Sequence, residues 1–81
     1  MRSFYWENKD KNRYYLIEIK RDLFQDLVLI KTNGRIGSNL GQTRQSIYEK
    51  DEDALGEVER IKKVRKQRGY ELKDTLEDPR F

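Results

Sequence analysis

The side chains able to do chemistry in this sequence are arginines, lysines, carboxylates, tyrosines and amides, because the 81-residue chain has no cysteine and no histidine. That excludes a disulfide, a zinc finger, a cysteine nucleophile and a histidine general base. It points to a reduced compartment and to binding rather than catalysis. The most suggestive cluster is Lys31-Thr32-Asn33-Gly34-Arg35-Ile36-Gly37-Ser38. Arg35 stands between two glycines, where a ligand backbone meets few side-chain obstructions and a guanidinium offers forked donors to phosphate or carboxylate. With Lys31 and Arg44 it would form a basic patch. The same segment also reads as a strand end with a bulge and turn, its arginine simply solvated.

A second basic run lies further on. Six acids fall between Glu49 and Glu59, and six bases between Arg60 and Arg68. On a helix this polarity complements the macrodipole and allows pairs such as Glu59–Lys63. Six bases in nine residues exceed what a last-turn effect requires, so Lys62, Arg65 and Lys66 are candidate phosphate contacts as well. Leu23-Phe24 is the third feature. In a hairpin tip these two residues either fold back on the core, the expected outcome, or present a protein-interaction surface. Nucleotide loops are absent: Gly34 to Gly37 lacks the Gly-x-Gly-x-x-Gly spacing and no Gly-Lys-Ser/Thr occurs. The carboxylates cluster on one helix rather than converging, so neither a catalytic residue nor a metal or cofactor site is expected.

These groups need a scaffold, and composition allows a small one. Charged residues at 41% against 35% hydrophobic lean toward disorder, but nine aromatics and periodic apolar runs supply a core. The net charge of +3 is small because both signs are abundant, so the distribution of charge matters more than its sum. No apolar h-region opens the sequence and no apolar run could span a bilayer. The expected location is cytoplasmic, with no membrane contact.

Four stretches read as strands. Ser3 to Glu7 is short and aromatic. Arg13 to Arg21 alternates, with Tyr15, Ile17 and Ile19 on one face. Asp26 to Asn33 is nearly continuously apolar, as in a central strand covered on both faces. Gln42 to Tyr48 is polar enough for an edge. Short polar turns connect them as antiparallel hairpins, and Asn33, Gly34, Gly37, Asn39 and Gly41 suit positive φ. Asp51 is the expected N-cap of a helix over Glu52 to Arg68, with Ala54, Leu55, Val58, Ile61 and Val64 as its core stripe and Gly69 as its terminator. Tyr70 to Leu72 leaves the helix extended, and Lys73 to Phe81 reads as a frayed tail. The fold class is α+β: a four-stranded, at most five-stranded, antiparallel sheet with one C-terminal amphipathic helix packed on it. One domain, residues 1–72, would precede a tail over 73–81.

The order and spacing of Asn33-Gly34-Arg35-Ile36-Gly37, Gly41-Gln42-Thr43-Arg44, Ala54 and Gly69-Tyr70 resemble a WGR domain of the short, stand-alone bacterial type. The preceding Tyr14-Tyr15-Leu16-Ile17-Glu18-Ile19 and Asp22-Leu23-Phe24 fit the same pattern, which covers residues 3 to 72. The resemblance implies an antiparallel sheet with a packed helix. WGR domains occur in DNA-dependent poly(ADP-ribose) polymerases, where the domain contacts DNA near a strand break and relays that contact to neighbouring domains. The family tryptophan packs there against the nucleic-acid terminus, and its arginine makes polar and interdomain contacts. Asn33 stands where the tryptophan is expected, which removes a stacking surface worth ~1–3 kcal/mol per base, while Gly34 and Arg35 are retained. The functional expectation is a non-catalytic module binding nucleic acid, DNA rather than RNA, through phosphate. The alternative is a protein-interaction adaptor working through Leu23 and Phe24.

Overall fold

A computed structural model describes residues 2–77. Five strands and one helix follow in the order β1 (Arg2–Asn8), β2 (Arg13–Arg21), β3 (Leu27–Arg35), β4 (Gln42–Tyr48), α1 (Asp51–Gln67) and β5 (Glu71–Glu77). All strand pairs are antiparallel, in the spatial order β4-β3-β2-β1-β5. The expected α+β class is observed, with the fifth strand present. The first four strands form a meander, and the helix carries the chain back so that β5 can pair with β1.

Alternation fixes which face the helix covers. Phe4 and Trp6 of β1, Ile17 and Ile19 of β2, and Leu27 and Leu29 of β3 share one face by register and are buried. Ala54, Val58 and Ile61 of α1 close the core over them. Leu55, expected in the core stripe, lies toward solvent, because a spacing of one residue turns a helical side chain by about 100°. The only tryptophan, Trp6, is thus a core residue, stacked beside Phe4 and edge-on to Tyr15.

The helix crosses the sheet obliquely, pinned at both ends. At its start the Asp51 carboxylate accepts from both terminal guanidinium nitrogens of Arg21, at 3.2 and 2.7 Å. Asp51 is therefore the first helical residue and not the N-cap, a position held by Lys50 without a side-chain hydrogen bond. At the other end Tyr70 N–H bonds the Arg65 carbonyl and Gly69 N–H the Lys66 carbonyl, with Gly69 at φ +83°. This is the Schellman closure expected of a glycine terminator. Buried Asn8, at the end of β1, donates to the Arg68 carbonyl at 3.1 Å and accepts from Lys11 N–H. The N-terminus of α1 therefore lies by the end of β2, and its C-terminus by the end of β1.

Three further expectations change. Residues 73–77 are not frayed: they belong to β5, which runs along β1 with a bulge at Lys73. The charged alternation of Glu71, Lys73, Asp74 and Glu77 hides a strand that is exposed throughout. Residues 78–81, including Pro79, lie outside the described residues. β3 is paired on both sides, but β2 is the middle strand. On the face away from α1 no second layer covers β3 among the described residues, although Val28, flanked by Lys20 and Ile47, is buried. Leu23 and Phe24 do not fold back on the core: they are 95% and 84% exposed. Their turn is braced by Asp22 Oδ1, which accepts from Phe24 N–H at 2.9 Å and Asp26 N–H at 3.0 Å. That bracing leaves the intervening side chains pointing outward.

Candidate nucleic-acid interface

Because α1 runs from the end of β2 to the end of β1, it leaves a corner of its own sheet face uncovered where β2 starts, β3 ends and β4 starts. The register sets the side chains there in rows. Arg13 of β2 faces Arg35 of β3 directly, and Asn33 faces Gln42 of β4. Lys31 faces Arg44. Two directly opposed cation pairs thus bracket an amide pair, all on the helix side of the sheet. Directly opposed side chains have Cβ atoms only ~4.5–5.5 Å apart, and like charges in that arrangement oppose pairing. Among the described residues no carboxylate lies within 4.0 Å of any of these four cations. An open cleft of about 370 Å³ lies among Arg13, Asn33, Arg35, Ser38, Leu40 and Gln42.

The glycines build this corner, by closeness more than by unusual backbone angles. Gly34 and Gly41 meet on the opposite face, beneath the ring of Tyr14. A Cβ on Gly41 would lie 2.4 Å from the Tyr14 hydroxyl and 2.7 Å from the Asn33 carbonyl oxygen, and one on Gly34 would lie 2.9 Å from Gly41 Cα. Of the segment expected to hold several left-handed positions, only Gly37 has positive φ. Asn33 is a regular strand residue. The strand end is fastened by Ile36 N–H, which donates to the Asn12 carbonyl at 3.0 Å.

One helix flank borders the corner. Glu57 lies in the field of Lys31, and Arg60 in that of Tyr15 and Tyr48. The Glu57 carboxylate accepts from Arg60, which holds it below the usual glutamate range, with Lys31 adding to the effect. The tyrosines carry a different cation. Arg65 lies 4.3 Å from the ring centroid of Tyr15 and 4.8 Å from that of Tyr70, with its Nε buried and without a hydrogen-bond partner. Burial pushes the Tyr15 hydroxyl above its ordinary pKa, opposed by Arg65 and Arg60.

The sequence-derived candidates therefore fall into two groups. Lys31, Asn33, Gly34, Arg35 and Arg44 come together at the corner, Gly34 as backbone. Lys62, Arg65 and Lys66 do not join them. Lys62 sits 4.3 Å over the Phe4 ring, on the β1 side of the helix, and Lys66 lines a shallow groove along the outer surface of α1 with Gly56, Glu59, Arg60 and Lys63. Arg65 is packed between tyrosines. Sequence reading missed Arg13 and Gln42. The alternation Arg13-Tyr15-Ile17 could have placed Arg13 on the face of Tyr15, but only the register with Arg35 makes it part of a pair. Among the described residues no group of acids could hold a metal ion, and no helix is long and apolar enough to cross a membrane.

A five-stranded antiparallel sheet crossed by one helix, with four cations gathered at a corner beside that helix, defines a small α+β domain. The family model for the WGR domain matches residues 2–77, and the chain belongs to that family. Comparison with curated proteins gave no match, and neither did comparison with solved structures.

Proposed function

We propose that this chain is a non-catalytic nucleic-acid-binding module of the cytoplasm. It takes the phosphate backbone, of DNA in preference to RNA, at the corner formed by Arg13, Lys31, Arg35 and Arg44. The carrying observation is the pair of directly opposed cation rows, Arg13–Arg35 and Lys31–Arg44, with no carboxylate in ion-pair range among the described residues. Folding sets like charges together there, and an anion between them relieves the repulsion. Membership of a family with members in DNA-dependent poly(ADP-ribose) polymerases supports nucleic acid over a free small anion. Asn33 and Gln42 between the rows offer amide donors and acceptors, suited to sugar and phosphate oxygens rather than to stacking. No metal or cofactor takes part.

The test is fluorescence anisotropy with duplex, nicked and single-stranded DNA and with RNA across a salt series. Arg13→Ala and Arg35→Ala are each expected to weaken binding similarly across sequences and to flatten the log K against log salt slope by about one unit. Binding that ignores salt, or variants that bind like the parent, would refute the assignment. A second reading rests on Leu23 and Phe24: two large apolar side chains held out on a braced turn suit a protein partner. Leu23→Ser with Phe24→Ser should then abolish capture of a partner while leaving nucleic-acid binding intact.

A further inference from the structure

We infer that the free edge of β4 is a self-association surface, on which two copies of this chain join their sheets through antiparallel β4–β4 pairing centred on Gln45. The two edges of the sheet differ in how they resist such pairing. β5 carries a bulge at Lys73 and four charged side chains among its seven residues, which are the usual protections of an edge. β4 has no bulge and far less charge. All seven of its residues pair with β3 in unbroken register, it contains no proline, and Arg44 is its only charge. Its outward N–H and C=O groups have no partner strand among the described residues.

The strand also complements itself. Centring on Gln45 uses the whole strand: Gln42 faces the second copy's Tyr48, Thr43 faces Ile47, Arg44 faces Ser46 and Gln45 faces Gln45. No like charges are directly opposed. Centring on Arg44 instead shortens the ladder and sets arginine against arginine. Two exposed apolar residues border this edge, Leu40 just before β4 and Ile47 within it, at 87% and 63% exposure. In the Gln45 register Ile47 lies beside Thr43 of the second copy, and Leu40 beside the chain that follows the second copy's Tyr48. An antiparallel edge pair relates the copies by a two-fold axis perpendicular to the sheet, so both helices and both cationic corners lie on one face of a ten-stranded sheet. The two Arg44 side chains become diagonal neighbours, their Cα atoms ~7–8 Å apart. Their repulsion opposes dimerisation and is screened by salt, so self-association strengthens as salt rises. Phosphate binding responds in the opposite sense, which separates this inference from the proposed function.

The test is sedimentation equilibrium of the full chain without nucleic acid, over a range of protein and salt concentrations. A concentration-dependent dimer is expected. Gln45→Lys and Gln45→Glu should each raise its dissociation constant by roughly tenfold or more, because either charge meets itself on the axis, and mixing the two variants should restore association. Circular dichroism checks that both remain folded. Since the chain has no cysteine, Gln45→Cys should oxidise to a covalent dimer faster than Thr75→Cys on the opposite edge. A chain that stays monomeric at every concentration and salt overturns the inference. So does a dimer that both charge variants leave unchanged or shift in opposite directions, or equal crosslinking at positions 45 and 75.

Discussion

Asn33 is the residue on which the character of the interface turns. It occupies a regular strand position on the helix side of the sheet, between Tyr15 and Gln42, and is half-buried. Its side chain can hydrogen-bond but cannot stack. Asn33→Trp would place an indole between the two cation rows at the mouth of the cleft. It should tighten binding to single-stranded or frayed ends by about 1–3 kcal/mol and change binding to continuous duplex little. Titrations with blunt duplex and with single strands distinguish these outcomes, and equal gains on both would count against end-stacking. A neighbouring glycine tests the scaffold itself. Gly41→Ala forces a Cβ against the Asn33 carbonyl oxygen as well as the Tyr14 hydroxyl. The tyrosine can shift but the strand backbone cannot move without disturbing β3–β4 pairing. A loss of about 1–3 kcal/mol in urea denaturation is expected, accompanied by weaker nucleic-acid binding because Arg44 and Gln42 follow on the same strand.

At the scale of elements, α1 both builds the core and tunes the corner. Its flank toward β3 carries Glu57, whose carboxylate is depressed first by the hydrogen bond from Arg60 and further by Lys31. A carboxyl with a lowered folded-state pKa stabilises the protein fully above its ordinary value of 4.5, and that contribution is lost as pH falls through the lower folded value. The pair is partly exposed, so its share is only about 0.2–0.5 kcal/mol. Glu57→Gln should cost that much at pH 7 and progressively less as pH falls below 4.5 through the lower folded value, read from urea midpoints. It should also tighten nucleic-acid binding, since it removes an acid that interacts with Lys31; weaker binding would argue against a role for Lys31. The elements differed in how openly the sequence displays them. The 3–4 spacing of Ala54, Val58 and Ile61 and the alternation of Tyr15, Ile17 and Ile19 announce α1 and β2, because burial on one face leaves a periodic trace. β5 leaves none: every residue is exposed, and it exists because β1 offers it a hydrogen-bonding edge. The corner was legible in part for the same reason. Lys31 and Arg35 fall in one suggestive segment and Arg44 follows it closely, whereas Arg13 joins them only through inter-strand register, which no local pattern encodes. The helix bases failed to join because the crossing direction of α1, set by Arg21–Asp51 at one end and Asn8–Arg68 at the other, turns Lys62 toward β1 and leaves Lys66 on the outer surface of the helix.

For the molecule as a whole, the return of the chain after α1 decides whether this short sequence can hold a sheet at all. A domain of this size is marginal, and small losses of buried surface count heavily. β5 hides little apolar surface of its own, but it satisfies the outer edge of β1, the strand that supplies Phe4 and Trp6 to the core. Arg2 adds an ion pair to Glu77 at 2.9 Å across the same seam. Removing residues 71–81 would leave β1 as a bare edge carrying aromatic side chains on the core face and Tyr5 on the other, an arrangement prone to intermolecular pairing. The truncated chain should unfold at much lower urea than the full chain, or aggregate, and Trp6 fluorescence should shift to the red as the indole meets water. Because Trp6 is the only tryptophan, that signal reports this strand alone. A truncated chain that kept its blue-shifted emission and its urea midpoint would show that the four-stranded meander and α1 suffice. The cationic corner lies at the far side of the sheet from β5, so its loss on truncation would follow from unfolding rather than from any contact removed.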